Sequence, residues 1–242
     1  MIEPIDVVMT CWKRERMTSS SIYALKLNTQ TPIRLILIDN GSNPVYTQQF
    51  ARQADIYVKL DKNYGLEYTK NLGMQFVTSK LFVSTDNDIL IYKYENPDWL
   101  QRIINLLDTH AEYGAIAPRP QVLIGTGNIF AGKEDQELIE FGHVPGYMRV
   151  MRTEWVKSLG AWNEKRALRG HEELWIGEKF SDHHYKMGWA TNVKCWHLFG
   201  EDDTDAWGYP KNMTPQDHGH NPVAGIPKND VDEIRDKVGI TI

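Results

Sequence analysis

In the first 120 positions the apolar residues come in short runs closed by polar or glycine-containing breaks, and these runs alternate with stretches of helical spacing. Ile5-Asp6-Val7-Val8-Met9 is the first run, ending in Thr10-Cys11-Trp12. Arg34 to Ile38 is almost continuously apolar, which suits a strand buried on both faces, and it stops at the turn cluster Asp39-Asn40-Gly41-Ser42. Further strands are expected over 55–60 and 81–84, the latter ending in Thr85-Asp86-Asn87-Asp88 before the apolar Ile89-Leu90-Ile91. Helical spacing predicts helices over 15–29, with Met17, Ile22, Leu25 and Leu27 inward, and over 64–77. Asn96 reads as an N-cap with Pro97 at the first helical position, followed by Trp99, Leu100, Ile103, Ile104, Leu106 and Leu107 on one face. Strand alternating with helix over short connections predicts βαβ units and an α/β fold with a mainly parallel central sheet flanked by helices. In such sheets ligands bind outside the carboxyl ends of the strands. The informative residues are therefore Thr10, Trp12, Asp39, Asn63, Gly65, Asp86 and Asp88.

Beyond residue 120 the alternation fades. Residues 121–140 are glycine-rich and carry no clear period. A strand is expected over 146–151, a short helix over 153–159 stopped by Gly160, a helix over 171–187 stopped by Gly188, and a strand over 190–196. Residues 200–227 are rich in Gly, Pro, Asp and His and read as loop; 229–238 reads as a terminal helix capped by Asn229.

Composition narrows the class. A chain of 242 residues, 41% hydrophobic and 24% charged, is sized for one α/β domain that needs no covalent staples. Lys and Arg number 27 against 32 Asp and Glu, a net charge of −5, which argues against a protein that coats a polyanion. Cys11 and Cys195 cannot form a disulfide framework and read as buried thiols in a reducing compartment. The first residues lack a basic start and an apolar signal-peptide core, and no apolar run approaches the roughly 20 residues of a membrane span. The expectation is a soluble, cytoplasmic chain with no membrane span.

The strongest chemical signal is Asp86-Asn87-Asp88. Two carboxylates spaced i, i+2 after a strand can reach one hard cation, and Mg²⁺ or Mn²⁺ commonly share such ligands with substrate phosphates. Taken without its position at the sheet edge, the triplet is a polar turn closing a strand. Gly127 to Lys133 fits a P-loop spacing, but Glu134 stands where Ser or Thr must reach Mg²⁺. His183-His184 and His218-Gly219-His220 read as solvated surface, and His171-Glu172-Glu173 lacks the H-E-x-x-H spacing of zinc proteases. Six of the eight tryptophans lie in the second half. Core packing is the better reading for Trp155, Trp162 and Trp189, whereas Trp175 and Trp207 are candidates for stacking on a bound sugar or base.

In order along the chain, several segments resemble family 2 glycosyltransferases of the GT-A fold. Asp6 to Arg14 is similar to that family's first strand with its Thr/Tyr-Asn-Arg ending, and Leu37-Ile38-Asp39-Asn40-Gly41-Ser42 to its V-D-D-G-S step. Asn63-Tyr64-Gly65 with Thr69-Lys70-Asn71 resembles N-x-G followed by A-R-N, and Asp86-Asn87-Asp88 the D-x-D element. Ser158 to Glu164 resembles x-x-G-G-F-D-E, Gly170-His171-Glu172-Glu173 resembles G-x-E-D, and Cys195-Trp196-His197 a last strand ending in His. The resemblance implies a metal-dependent enzyme that moves a sugar from a nucleotide-diphosphate donor, UDP-sugar favoured, to a hydroxyl acceptor with inversion. It assigns Thr10, Trp12, Arg14, Asp39, Asn63, Gly65, Lys70, Asp86 and Asn87 to the donor, and Asp86, Asp88 and His197 to Mn²⁺ or Mg²⁺. Glu173, with Glu172 next, is assigned as general base. Lys70 stands where the family has Arg, and Glu173 where it has Asp. A retaining transferase, a nucleotidyltransferase and a non-catalytic sugar-nucleotide-binding protein are the alternatives. The acceptor is open among a glycan, a small molecule, a protein and a modified nucleic-acid base. One domain is expected over 1–242, with a donor-binding half to about 118, a catalytic and acceptor half over about 119–200, and a tail over 201–242 able to serve as a lid.

Overall fold

A computed structural model describes residues 3–120, 130, 133, 135–164 and 172–197; the side chains of Arg16 and Glu173 are outside that description. Most of the Gly127–Lys133 segment, Trp207, His218, His220, the tail and its terminal helix lie outside the described residues.

Four parallel strands form the first half of the sheet: β1 (Ile5–Cys11), β2 (Ile33–Asp39), β3 (Ile56–Lys59) and β4 (Leu81–Thr85). Helices α1 (Glu15–Asn28), α2 (Thr47–Gln53) and α3 (Leu66–Met74) connect them. After β4 come β5 (Ile89–Ile91), α4 (Trp99–Thr109), β6 (Tyr113–Pro120), β7 (Leu138–Glu140), β8 (Met148–Arg152), α5 (Thr153–Ser158), α6 (Glu172–Asp182) and β9 (Lys186–His197). The order across the sheet is β3-β2-β1-β4-β8-β6-β9-β5, with β7 on β9. The second half is mixed. Strand β8 runs antiparallel to β4 and β6, while β9 runs parallel to β6 and antiparallel to β5 and β7. The result is one α/β sheet, parallel in its first half and mixed in its second.

The two faces bury separate clusters, as the near-continuous apolar strands require. Val7, Met9, Leu35, Leu37 and Val83 pack with Ile22 and Leu25 of α1, Phe50 of α2 and Trp99, Leu100 and Ile103 of α4. Val8, Ile36, Ile38 and Phe82 pack on the opposite face with Met74 of α3, Val156 of α5 and Ile176 and Phe180 of α6. Cys11 and Cys195 are buried free thiols, and burial pushes both up in pKa. Among the described residues no helix is long and apolar enough to cross a membrane.

Several elements differ from the sequence reading. The cap of α4 is Asp98, whose carboxylate accepts from the Gln101 N–H and from the backbone N–H groups of Gln30 and Thr31. A carboxylate serving three donors on two segments outcompetes Asn96 for the role. Leu27 is exposed on α1, although Met17, Ile22 and Leu25 are buried. The helix expected over 171–187 ends at Asp182, and Gly188 lies inside β9 rather than stopping a helix. A Cβ at Gly188 would come 2.7 Å from the Ile139 carbonyl oxygen, so this glycine serves strand contact. Gly160, with φ of +79°, does close α5.

Candidate active site at the carboxyl edge of the sheet

Strand register gathers the expected residues. Cys11 lies opposite Asp39 and Met9 opposite Thr85, so Thr10, Trp12, Asp39 and Asp86 leave the sheet at one edge. Antiparallel pairing of β5 with β9 sets Ile89 opposite His197, which delivers His197 to the residue following Asp88.

The acidic turn is held from three sides. The Asp86 N–H donates to the Tyr147 carbonyl at 2.8 Å. The Asn87 side chain is buried and donates to Thr18 Oγ1 at 2.8 Å, while its carbonyl accepts from Ser21 Oγ, so Asn87 braces the turn against α1. Asp88 is buried, with Oδ2 2.6 Å from the Arg14 guanidinium and Oδ1 3.5 Å from His197 Nε2. Oδ1 has no solvent contact, and among the described residues it accepts no hydrogen bond. The Tyr147 ring lies 5.3 Å from the His197 ring. Its hydroxyl donates to the Pro118 carbonyl at 2.6 Å, and burial holds that phenol neutral far above its usual range.

These residues fit a divalent ion that shares its shell with a ligand. Asp88 offers an oxygen with no hydrogen bond and His197 a nitrogen beside it, with Asp86 two residues away. Among the described residues no three His, Cys, Asp or Glu side chains gather closely enough to enclose an ion by themselves. Mg²⁺-type ions keep few protein ligands and take the rest from phosphate and water, so this incomplete set suits them.

The neighbouring turn is equally tied. Asp39 is fully buried; Oδ1 accepts from the Ser42 N–H, and Oδ2 accepts from the Tyr57 hydroxyl at 2.8 Å and Lys59 Nζ at 3.0 Å. Asn40 donates to Asn63 Oδ1 at 2.7 Å and accepts from the Tyr64 N–H, fixing the loop that leads to Gly65 and α3. Gly41 permits the approach of that loop. Its φ is +85°, and a Cβ there would stand 2.6 Å from the Lys62 carbonyl carbon. Thr10 is buried, whereas Asn63 is exposed; the Lys13 ammonium lies 4.5 Å from the Trp12 ring centroid.

A second charged centre lies behind the edge, between α3, α6 and β8. Lys70 Nζ is 2.7 Å from Glu172 Oε1 and 3.8 Å from Asp86 Oδ1, and an Arg149 terminal nitrogen is 3.6 Å from Glu172 Oε2. Lys70, Arg149 and Glu172 are all buried. Burial pushes the Lys70 ammonium down, but the Glu172 and Asp86 carboxylates outweigh it and hold the pKa above the ordinary lysine value. A Cβ on Gly146 would fall 1.6 Å from Glu172 Oε1, so only glycine leaves room for this carboxylate.

Lys70 thus meets Asp86 and Glu172 directly. Glu173 follows Glu172 in the first turn of α6, and its side chain lies outside the described residues. Trp162 and Trp189 are buried, and Trp155 stacks on Tyr185 at 3.7 Å. Half-buried Trp175 donates from its indole N–H to the Ala161 carbonyl. His183 and His184 are exposed, as expected of solvated surface. Sequence reasoning missed Tyr147, Arg149, the bracing role of Asn40 and that of Asn71, whose amide pins Trp162 through its N–H and carbonyl at 2.9 and 2.8 Å. The one available signal was the charged Arg149 between the apolar Met148 and Val150 of β8.

A model of the family described as glycosyl transferase family 2 matches residues 6–167. No curated protein matches the chain in sequence. Among solved structures, Staphylococcus aureus TarS 1-349 superposes with a TM-score of 0.60 at 13% identity, over 79% of this chain and 60% of its own. The Pyrobaculum calidifontis mannosyltransferase PcManGT, solved with GDP-Man and Mn²⁺, gives 0.63 at 16% identity over 79% of this chain and 56% of its own. GalNAc-T7, solved with UDP, GalNAc and Mn²⁺, gives 0.63 at 13% identity over 80% of this chain and 43% of its own. The present chain therefore spans about half the length of these neighbours, and at such identity the likeness is one of fold.

Proposed function

The chain belongs to glycosyl transferase family 2, and on that premise we propose that it transfers a sugar from a nucleoside-diphosphate donor to a hydroxyl acceptor with inversion. The observation that carries this reading is the convergence of Asp88, Arg14 and His197 beside the ends of β1, β2 and β4. Asp88 and His197, with Asp86, would hold Mn²⁺ or Mg²⁺. When bound, such an ion neutralises charge that builds on the departing diphosphate. Thr10, Trp12, Arg14, Asp39, Asn63 and Gly65 border the donor. Lys70 supports it from behind through Asp86. A uridine diphosphate sugar is the first donor to try; UDP and GDP-Man both occur among the structural neighbours.

Glu173 acts as the general base. Glu172 is unsuited to that task, because it is buried with Lys70 on one oxygen and Arg149 near the other. Both oxygens face basic side chains, and burial denies them an acceptor hydroxyl. In the transfer, the acceptor oxygen forms a bond to the anomeric carbon as the bond from that carbon to the diphosphate oxygen breaks. The electron pair leaves with the diphosphate, and the acceptor proton passes to Glu173.

The test is release of nucleoside diphosphate from a panel of donors with Mn²⁺ and simple sugar acceptors. Turnover is expected in the wild type, and Glu173→Gln is expected to lose it by 100-fold or more while still binding donor. Full activity in Glu173→Gln would overturn the assignment of the base.

A further inference from the structure

The turn between β1 and α1 adopts an unfavourable conformation that aims one side chain. Lys13 and Arg14 both take positive φ, 57° and 54°, although neither is glycine. Side-chain-bearing residues seldom adopt that region, and when held there by their surroundings they tend to mark functional sites. Here the surroundings are explicit. The Lys13 N–H donates to Ser42 Oγ at 3.0 Å, and the Lys13 carbonyl accepts from the Asn87 amide. The Arg14 carbonyl accepts from both the N–H and the hydroxyl of Thr18. The product of this strain is the guanidinium of Arg14, 2.6 Å from Asp88 Oδ2. The carboxylate that best suits a divalent ion thus already carries a monovalent cation.

We propose that Arg14 is the resident counter-cation of Asp88, and that a divalent ion and Arg14 exchange on this carboxylate. The inference rests on the functional reading above. An ion on Oδ1 beside His197 and the guanidinium on Oδ2 would share one buried carboxylate and repel each other, which favours release of the guanidinium. The freed guanidinium then has a natural partner in a diphosphate, which it engages through paired N–H donors. Metal alone binds weakly, because it works against the Arg14–Asp88 ion pair. Metal together with a nucleoside diphosphate binds well, because each satisfies what the other displaces. Arg14 is therefore a source of cooperativity between ion and donor, and that coupling must be reciprocal.

The experiment titrates the protein with Mn²⁺ and follows the free-ion signal by electron paramagnetic resonance, with and without UDP, for wild type, Arg14→Gln and Arg14→Lys. Arg14→Gln is expected to tighten Mn²⁺ binding without UDP by about 10-fold and to shrink the enhancement by UDP by a similar factor. Arg14→Lys keeps a cation within reach of Asp88 and is expected to bind Mn²⁺ alone as weakly as the wild type. Unchanged or weaker Mn²⁺ binding in Arg14→Gln, or tightening in Arg14→Lys to the same degree, overturns the exchange while leaving the functional reading intact. No Mn²⁺ binding by any of the three, with UDP present, overturns both.

Discussion

Asp88 and Glu172 are both buried carboxylates in contact with basic side chains, yet their surroundings differ in kind. Glu172 meets Lys70 at 2.7 Å on one oxygen and Arg149 at 3.6 Å on the other, and Gly146 leaves no spare space around it. Asp88 has Arg14 on one oxygen only, supplied by a strained turn, and its other oxygen accepts no hydrogen bond. The first arrangement holds α6 against α3 and β8. The second is arranged to change partners. Asp86, 3.8 Å from Lys70, connects the two centres.

The contrast can be broken by mutation, and the largest expected effect is at Asp88. Asp88→Ala should lower transfer by about 100- to 1,000-fold and leave the melting temperature within a few degrees of the wild type, checked by steady-state kinetics and thermal denaturation. Removing Glu172 should instead cost stability. Glu172→Ala takes from Lys70 its nearest carboxylate and from Arg149 the carboxylate at 3.6 Å, and is expected to cost about 3–5 kcal/mol in chemical denaturation. Pairing Lys70→Met with Glu172→Leu should recover much of that loss, because two apolar groups leave no unpaired charge.

A pH experiment sharpens the same point. The folded pKa of Lys70 is raised, so its contribution to stability is complete below the unfolded lysine value of about 10.4 and is lost as pH rises through the higher folded value. Stability measured between pH 9 and 12 should show this alkaline loss in the wild type and a smaller one in Lys70→Met.

The smallest effect is expected far from either centre. Asp6 accepts from Arg34 and from the N–H groups of Thr78 and Ser79; burial pushes its pKa up, but these donors outweigh burial and hold it below the usual aspartate value. Its contribution is therefore present above about pH 3.9 and is lost as pH falls through the lower folded value, a decline that Asp6→Asn should remove.

The carboxyl edge of the first four strands was legible because it is built from short βαβ units. Each strand reads as an apolar run, and Asp39 ends one while Asp86 directly follows another. The second half was less legible for physical reasons. Strand β6 contains Pro118 and Pro120, which argue against a strand when read locally, yet it pairs with β8 and β9 across a register shift. Residues 186 and 187 read as the end of a helix but are claimed by pairing with β6. Arg149 and Tyr147 have no motif of their own; their roles come from contacts with Glu172 and with His197, Pro118 and Asp86, all distant in sequence.

The central claim is a nucleoside-diphosphate site completed by a divalent ion at Asp88. Its most direct test is thermal stability of wild type and Asp88→Ala across a panel of nucleotide sugars, with and without Mn²⁺. A donor at 100 times its dissociation constant adds about 2.7 kcal/mol, which raises the melting temperature by roughly 5–10 °C for a chain of this size. The account predicts that rise for one donor class in wild type with Mn²⁺, and its loss on omitting Mn²⁺ or in Asp88→Ala. No response to any donor, or an equal response in Asp88→Ala, would contradict it.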